Sequence, residues 1–155
     1  MRAYIAAPYT KKTSNENSPH YGEVTDMSYI NFLNSVESVV RSIGFDTFLP
    51  HRDLHEWGKA HLPEDAVVKN SFQELKNSDL LIAYPEQSVG VNIELGWACA
   101  FKKKILILLN ENDRVSIMHS GLKGITDSEI VKFRDITDLR TKLKERLSSI
   151  KQQSS

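Results

Sequence analysis

The chain has 155 residues, with 20 Lys+Arg against 20 Asp+Glu and a formal net charge of zero. That length is enough for one domain with a real core, and the charge balance excludes the basic surface of a general nucleic-acid binder. A single cysteine, Cys99, excludes a disulfide framework and a cysteine-based zinc site, and no apolar run approaches the ~20 residues that span a bilayer.

Residues 2–7 read as a first strand, ended by Pro8 and preceded by no leader pattern, so a cytoplasmic protein is expected. Residues 8–22 are polar, and an unstructured stretch of that length inside a compact domain is often a functional lid. From Glu23 to Ile43 the positions Met27, Ile30, Leu33, Val36, Val39 and Val40 recur at helical spacing, and Gly44 stands where a C-cap glycine belongs. Phe45–Leu49 is a second strand, ended by Pro50. A second polar loop over 51–62 follows, in which Pro50 argues against a helix presenting His51 and His55 on one face. Pro63, Glu64 and Asp65 open a helix to about Lys76.

Leu80–Tyr84 and Ile105–Leu109 read as buried parallel strands. Between them lie a loop with Ser88 and Gly90 and a helix whose first turn carries Glu94. There the exposed amides and the helix dipole keep a carboxylate ionised, which suits a nucleophile or a stabiliser of positive charge. Ser88 either caps this helix or offers its hydroxyl to a phosphate. Cys99, between Ala98 and Ala100, reads as a small core residue. Residues 110–128 form a third long loop with room for a helical turn, Ile130–Phe133 a last strand and Thr137–Ile150 an amphipathic helix, leaving 151–155 as a disordered tail to a single domain over 1–150.

Strands alternating with helices imply a parallel sheet covered on both faces. The polar segments 8–22, 51–62 and 85–92 then fall on its carboxyl edge, where open α/β sheets bind ligands. His51, His55 and His61 match no zinc spacing, so no metal site is expected. Trp57 and Tyr9 read either as hydrophobic plugs or as walls stacking on a planar base. No GxxxxGK[ST] and no GxGxxG occurs, so neither nucleotide fingerprint applies.

Four pieces carry a resemblance: Tyr4-Ile5-Ala6-Ala7-Pro8-Tyr9; His51-Arg52 with Trp57-Gly58; Ser78-Asp79 opening a strand; and Ser88-Val89-Gly90-Val91-Asn92-Ile93-Glu94-Leu95-Gly96-Trp97-Ala98. Over roughly residues 2–140 they resemble the nucleoside 2-deoxyribosyltransferase superfamily, and within it the nucleotide N-hydrolase branch. The resemblance implies a flavodoxin-like, Rossmann-like three-layer sandwich around a parallel sheet of about five strands, assembled as a homodimer or a dimer of dimers. It implies an N-glycosidase acting on a nucleoside 5'-monophosphate, with no metal or organic cofactor and no nucleic-acid or membrane partner.

Glu94 matches the family's catalytic glutamate, which attacks or stabilises C1' of the sugar. Ser88 matches a position that carries Asp in nucleoside transferases and Ser, facing the 5'-phosphate, in nucleotide hydrolases. Ser116 aligns with a serine that a neighbouring subunit lends to the phosphate, and Tyr9, His51, Arg52, Trp57 and Gly90 fall on the pocket segments. One departure stands out. Where many members carry an Asp that protonates or orients the leaving base, this chain has Ser71, with Glu74 or Asp65 as substitutes. The rival functions are a nucleoside 2-deoxyribosyltransferase and a non-catalytic nucleotide-binding module.

Overall fold

The computed structural model describes residues 1–154. Five strands, β1 (Arg2–Ala6), β2 (Asp46–Phe48), β3 (Leu80–Ala83), β4 (Lys104–Asn110) and β5 (Ser128–Phe133), pair in parallel in the order β2-β1-β3-β4-β5. The helices are α1 (Met27–Ser42), α2 (Pro50–Asp53), α3 (Glu64–Asn77), α4 (Val89–Ala100), α5 (Ile117–Gly121) and α6 (Ile136–Gln153). This is an α/β Rossmann-like fold in the flavodoxin-type strand order, which reverses between β1 and β3 and leaves a crevice there.

The period-two alternation of strand side chains divides the core in two. Ala3, Ile5, Leu80, Ile82, Leu106 and Leu108 face α1 and α6. Tyr4, Ala6, Leu81, Ala83, Ile105 and Ile107 face α3 and α4. α6 is held by Leu139, Leu143, Leu147 and Ile150, one stripe of a helix. Cys99 is buried in the second cluster, as a small core residue.

Several boundaries differ from the sequence reading, each for a local reason. α1 begins at Met27 rather than Glu23, because the Asp26 carboxylate accepts from the amides of Ser28 and Tyr29 and fixes the cap. Tyr29 takes the core position expected of Met27, which is exposed. Gly44 does end that helix, at φ +88. Pro50 starts a helix rather than preventing one: it is the first residue of α2, where its missing N–H costs nothing. The 51–62 segment therefore carries α2 and a 3-10 turn at Glu56–Gly58. α6 runs to Gln153, so Lys151–Gln153 are helical rather than tail, and Lys151 Nζ donates to the Ile43 carbonyl at 2.6 Å; Ser155 lies outside the described residues. Among the described residues no helix is long and apolar enough to cross a membrane.

Candidate active site

The loops at the carboxyl edge are fastened to one another. Val24 N donates to the Trp57 carbonyl at 2.8 Å, joining the end of the first polar segment to the second. Lys12 Nζ lies 2.9 Å from Glu86 Oε2, tying the first segment to the loop after β3. Gly58, at φ +97, makes the tightest approach: a Cβ there would come within 2.2 Å of the Gly22 carbonyl oxygen.

Under these loops, on the α1 side, sits a ring cluster. The Tyr9 ring stacks on His55 at 4.3 Å and meets His51 edge-on at 5.4 Å, with Trp57 6.2 Å from His51. His51 is 1% exposed and its Nε2 bonds the Pro8 carbonyl at 2.8 Å, so Nε2 carries the proton. Burial pushes its pKa down to about 4, which leaves the ring neutral and Nδ1 a buried acceptor with no partner. Trp57 packs against the first core cluster as a plug. Arg52, next in sequence to His51, turns the other way: its guanidinium pairs with Glu37 and Asp53 beside α1, outside the ring cluster.

On the α3/α4 side the decisive contact is between strand and helix. Tyr4, fully buried at the middle of β1, donates its hydroxyl to Glu94 Oε1 at 2.5 Å. A buried phenol requires a polar partner, and α4 supplies it. Burial pushes the Glu94 carboxyl up to about 7, while the Tyr4 hydrogen bond pulls it down. This corrects the sequence reading twice. Glu94 is the sixth residue of α4, in its second turn rather than its first, where the dipole effect has faded. Desolvation therefore prevails over the helix terminus, and the group sits at the edge of ionisation near neutrality. Ser71 is buried against the same Tyr4 phenol, and Glu74 is ion-paired with Arg2 at 2.6 Å. Ser71 has no acidic group, and the Glu74 carboxylate is engaged by Arg2.

Ser88 is the N-cap of α4 and accepts from Val91 N at 3.4 Å. Gly90 stands beside it, exposed, and an added Cβ would touch only Ser88 Oγ at 3.8 Å. Ser116 caps α5, and it is not with Glu94. It lines a cavity of about 680 Å³ between α4 and α5, whose walls include Asn92, Leu95 and Gly96. At 100° per residue, Asn92 and Glu94 leave α4 about 160° apart, so the cavity and the carboxylate lie on opposite sides of the helix.

The family model described as nucleoside 2-deoxyribosyltransferase matches residues 25–139. The chain belongs to that family. No curated protein sequence matches it. Among solved structures, the CMP N-glycosidase BcmB of Clostridium botulinum superposes with a TM-score of 0.71 at 21% identity, covering 94% of this chain and 99% of that one. The solution structure of BlsM gives 0.72 at 22% identity, over 96% and 90%. A 2-deoxyribosyltransferase of Bacillus psychrosaccharolyticus gives 0.60 at 20% identity, over 90% of both. At these identities the likenesses establish the shared fold.

Within this 2-deoxyribosyltransferase family member, the structure gathers the expected residues into three groups. Tyr9, His51 and Trp57 form the ring cluster; Glu94 and Ser71 share Tyr4; Ser88 and Gly90 open α4. Tyr4 is the member of this candidate site that sequence reasoning missed. Its signal was a large phenol between Ala3 and Ile5 on a strand destined for full burial, where its hydroxyl had to meet a polar group.

Proposed function

We propose that this chain hydrolyses the N-glycosidic bond of a nucleoside 5'-monophosphate, releasing free base and ribose or deoxyribose 5-phosphate. The observation that carries the reading is the Tyr4–Glu94 pair: a partly buried carboxylate, poised near neutrality and aimed by a 2.5 Å hydrogen bond, on the helix that follows the β1/β3 crevice. As the base leaves, C1' gains oxocarbenium character. An ionised Glu94 offsets that charge or forms a glycosyl ester, which water then opens. A preorganised charge in a dry site supplies the larger share of the acceleration.

Ser88 and Gly90 leave a hydroxyl and an uncovered helix start for the phosphate, where an Asp would repel it. Tyr9 and Trp57, the partly exposed rings around the buried His51, offer the flat surface a base requires. The fold is shared by a CMP N-glycosidase and by a 2-deoxyribosyltransferase, so the choice of hydrolysis over transfer rests on Ser88. The active form is a homodimer of a cytoplasmic enzyme. Val89 (75% exposed), Ile117 (86%) and Met118 (74%) leave large apolar side chains exposed at the starts of α4 and α5, which a second copy would cover, and Ser116 reaches the phosphate from that copy.

The test is chromatographic detection of free base from a panel of ribo- and deoxyribonucleoside 5'-monophosphates. Glu94→Ala is expected to lower turnover by about 10³-fold or more with unchanged circular dichroism; undiminished turnover rejects the assignment. Exchange of a supplied second base moves the protein to the transferases, and thermal stabilisation by nucleotide without base release makes it a binding module.

A further inference from the structure

α4 is apolar round most of its circumference, yet one side of it packs against no other element. Its 12 residues carry one charged group, Glu94, which is turned toward Tyr4. The buried Val91 and Ala98 hold the inner side against the sheet. On the opposite side Val89, Ile93, Gly96 and Ala100 are all exposed. Their spacing of four, three and four residues keeps them within about 60° of one another at 100° per residue, a single stripe along the helix. This is the seam of a helix that packs lengthwise on another helix. A helix apolar on every side is ordinarily buried, and among the described residues nothing covers this one.

Gly96 is a second, independent observation. It is the eighth residue of α4, where glycine weakens a helix relative to alanine. An added Cβ there would meet nothing within 4 Å. One copy of the fold therefore gives no reason for the missing side chain. Close approach of a second backbone does give one, and the small Ala100, one turn on, keeps that approach open. Gly96 also borders the α4–α5 cavity, but Ile93 and Ala100 do not line it, so a ligand there leaves their exposure unexplained.

The occupant that fits is a second copy. An uncharged stripe gives a charged partner no handle, whereas an isologous contact sets one stripe on its own duplicate. Val89, where the stripe starts, belongs to the apolar surface already assigned to the second protomer, so the two are continuous. On α3 the exposed Val68 and Phe72 extend it, and the Phe72 ring meets Trp97 edge-on at 5.2 Å. A helix of this length is about 18 Å long. With a neighbour on each side at about 10 Å it spans a face on the order of 500 Å² in projection. The accessible area of such a face is larger, and it reaches the roughly 600 Å² per partner at which specific interfaces begin.

We infer that α4 packs against α4 of a second copy through Val89, Ile93, Gly96 and Ala100, with the two backbones closest at Gly96. This rests on the homodimer proposed above, not on the reaction, and names the contact that joins the copies. Because α4 also carries Ser88 and Glu94, the contact sets the candidate sites of the two copies side by side.

The test measures mass in solution by sedimentation over a range of protein concentrations, for wild type, Ile93→Asp, Gly96→Leu and Met27→Asp. Met27 is an exposed apolar residue on α1, across the sheet from α4, and serves as the control. Wild type and Met27→Asp are expected to be dimers. Ile93→Asp buries an unpaired charge in the contact and is expected to raise the dimer dissociation constant at least about 100-fold. Gly96→Leu has room in a single copy, so its circular dichroism is expected to be unchanged while its dissociation constant rises at least about tenfold. Undiminished association in Ile93→Asp or in Gly96→Leu, or an equal loss in Met27→Asp, overturns the inference. A wild type that stays monomeric overturns it together with the proposed homodimer. If no nucleotide is hydrolysed but both α4 variants dissociate, the proposed reaction fails and the interface stands.

Discussion

The Tyr4 hydroxyl donates to Glu94 Oε1 at 2.5 Å, from the middle of β1 to the second turn of α4. Tyr4 is fully buried, and burial, with the Glu94 charge beside it, holds the phenol well above its usual pKa. It therefore stays a donor through the neutral range. The one effect that opposes the desolvation of Glu94 is this hydrogen bond. Strand and helix together set the acidity of the carboxylate.

Tyr4→Phe removes the opposing effect and keeps the ring. The Glu94 carboxyl, already at about 7, then moves further up. If the ionised carboxylate is the working form, the acid limb of the pH–rate profile lies near pH 7 in the wild type and shifts to the alkaline side in the variant. Turnover at pH 7 is expected to drop roughly 10- to 100-fold and to recover in part at pH 9. An unshifted limb in Tyr4→Phe would mean that some other group controls ionisation.

Stability carries the same signature with a definite sign. The folded pKa of Glu94 is raised from 4.5 to about 7. The native state thus binds more protons than the unfolded state between those values, and stability falls as pH rises through the window. Glu94→Gln resembles the protonated form and does not suffer that loss. The stability of Glu94→Gln minus wild type is expected near zero at pH 4.5 and on the order of 2 kcal/mol by pH 8, after a discount for partial exposure. Urea midpoints for the two proteins across this range provide the measurement, and a difference that does not change with pH would remove the burial argument.

His51 runs the other way. Its pKa is lowered from 6.5 to about 4, so the neutral ring is the native form above pH 5 and its stabilising burial is lost as pH falls from 6.5 to 4. Imidazole NMR shifts assigned to His51 are expected to stay constant from pH 5.5 to pH 8, with the proton on Nε2. A titration midpoint near pH 6.5 would show that the ring cluster opens to water.

Much of this layout is legible in the sequence, because it depends on periodicities. Continuous apolar runs such as Ile105–Leu109 have few alternatives to buried parallel strands, and Gly44 and Pro63 mark helix ends by backbone chemistry alone. Glu94 could be picked out by its place after a strand and a Ser-Gly loop. Its ionisation could not, because the outcome depended on tertiary burial, opposed only by Tyr4, 90 residues away in sequence. Arg52 shows the same limit. Its neighbour His51 faces Pro8, whereas Arg52 turns to Glu37 on α1, a pairing invisible in local sequence.

Gly58→Ala tests whether the two polar loops act as one cover. The position has φ +97, and an added Cβ would lie 2.2 Å from the Gly22 oxygen and 2.5 Å from the Glu23 Cα, both backbone atoms that cannot swing aside. Strain at such a position costs about 1–3 kcal/mol before the clash is counted. The substitution is expected to separate residues 8–22 from 51–62, lower the melting temperature by several degrees and expose the first loop to proteolysis. Unchanged proteolysis would show that the loops are held by other contacts.

Gly90→Ala separates a ligand requirement from a folding one. Gly90 is the second residue of α4, and its new Cβ would meet only Ser88 Oγ, at an ordinary 3.8 Å. The fold gives no reason for a glycine here, since alanine is the better helix former by up to about 1 kcal/mol. A phosphate approaching the start of α4 does give one, because a methyl group covers part of the surface it has to reach. The variant is expected to be as stable as wild type or slightly more so, while KM for the monophosphate rises roughly five- to tenfold, about 1 kcal/mol of binding. A melting temperature that falls would assign the glycine to folding. An unchanged KM would move the phosphate away from this end of α4.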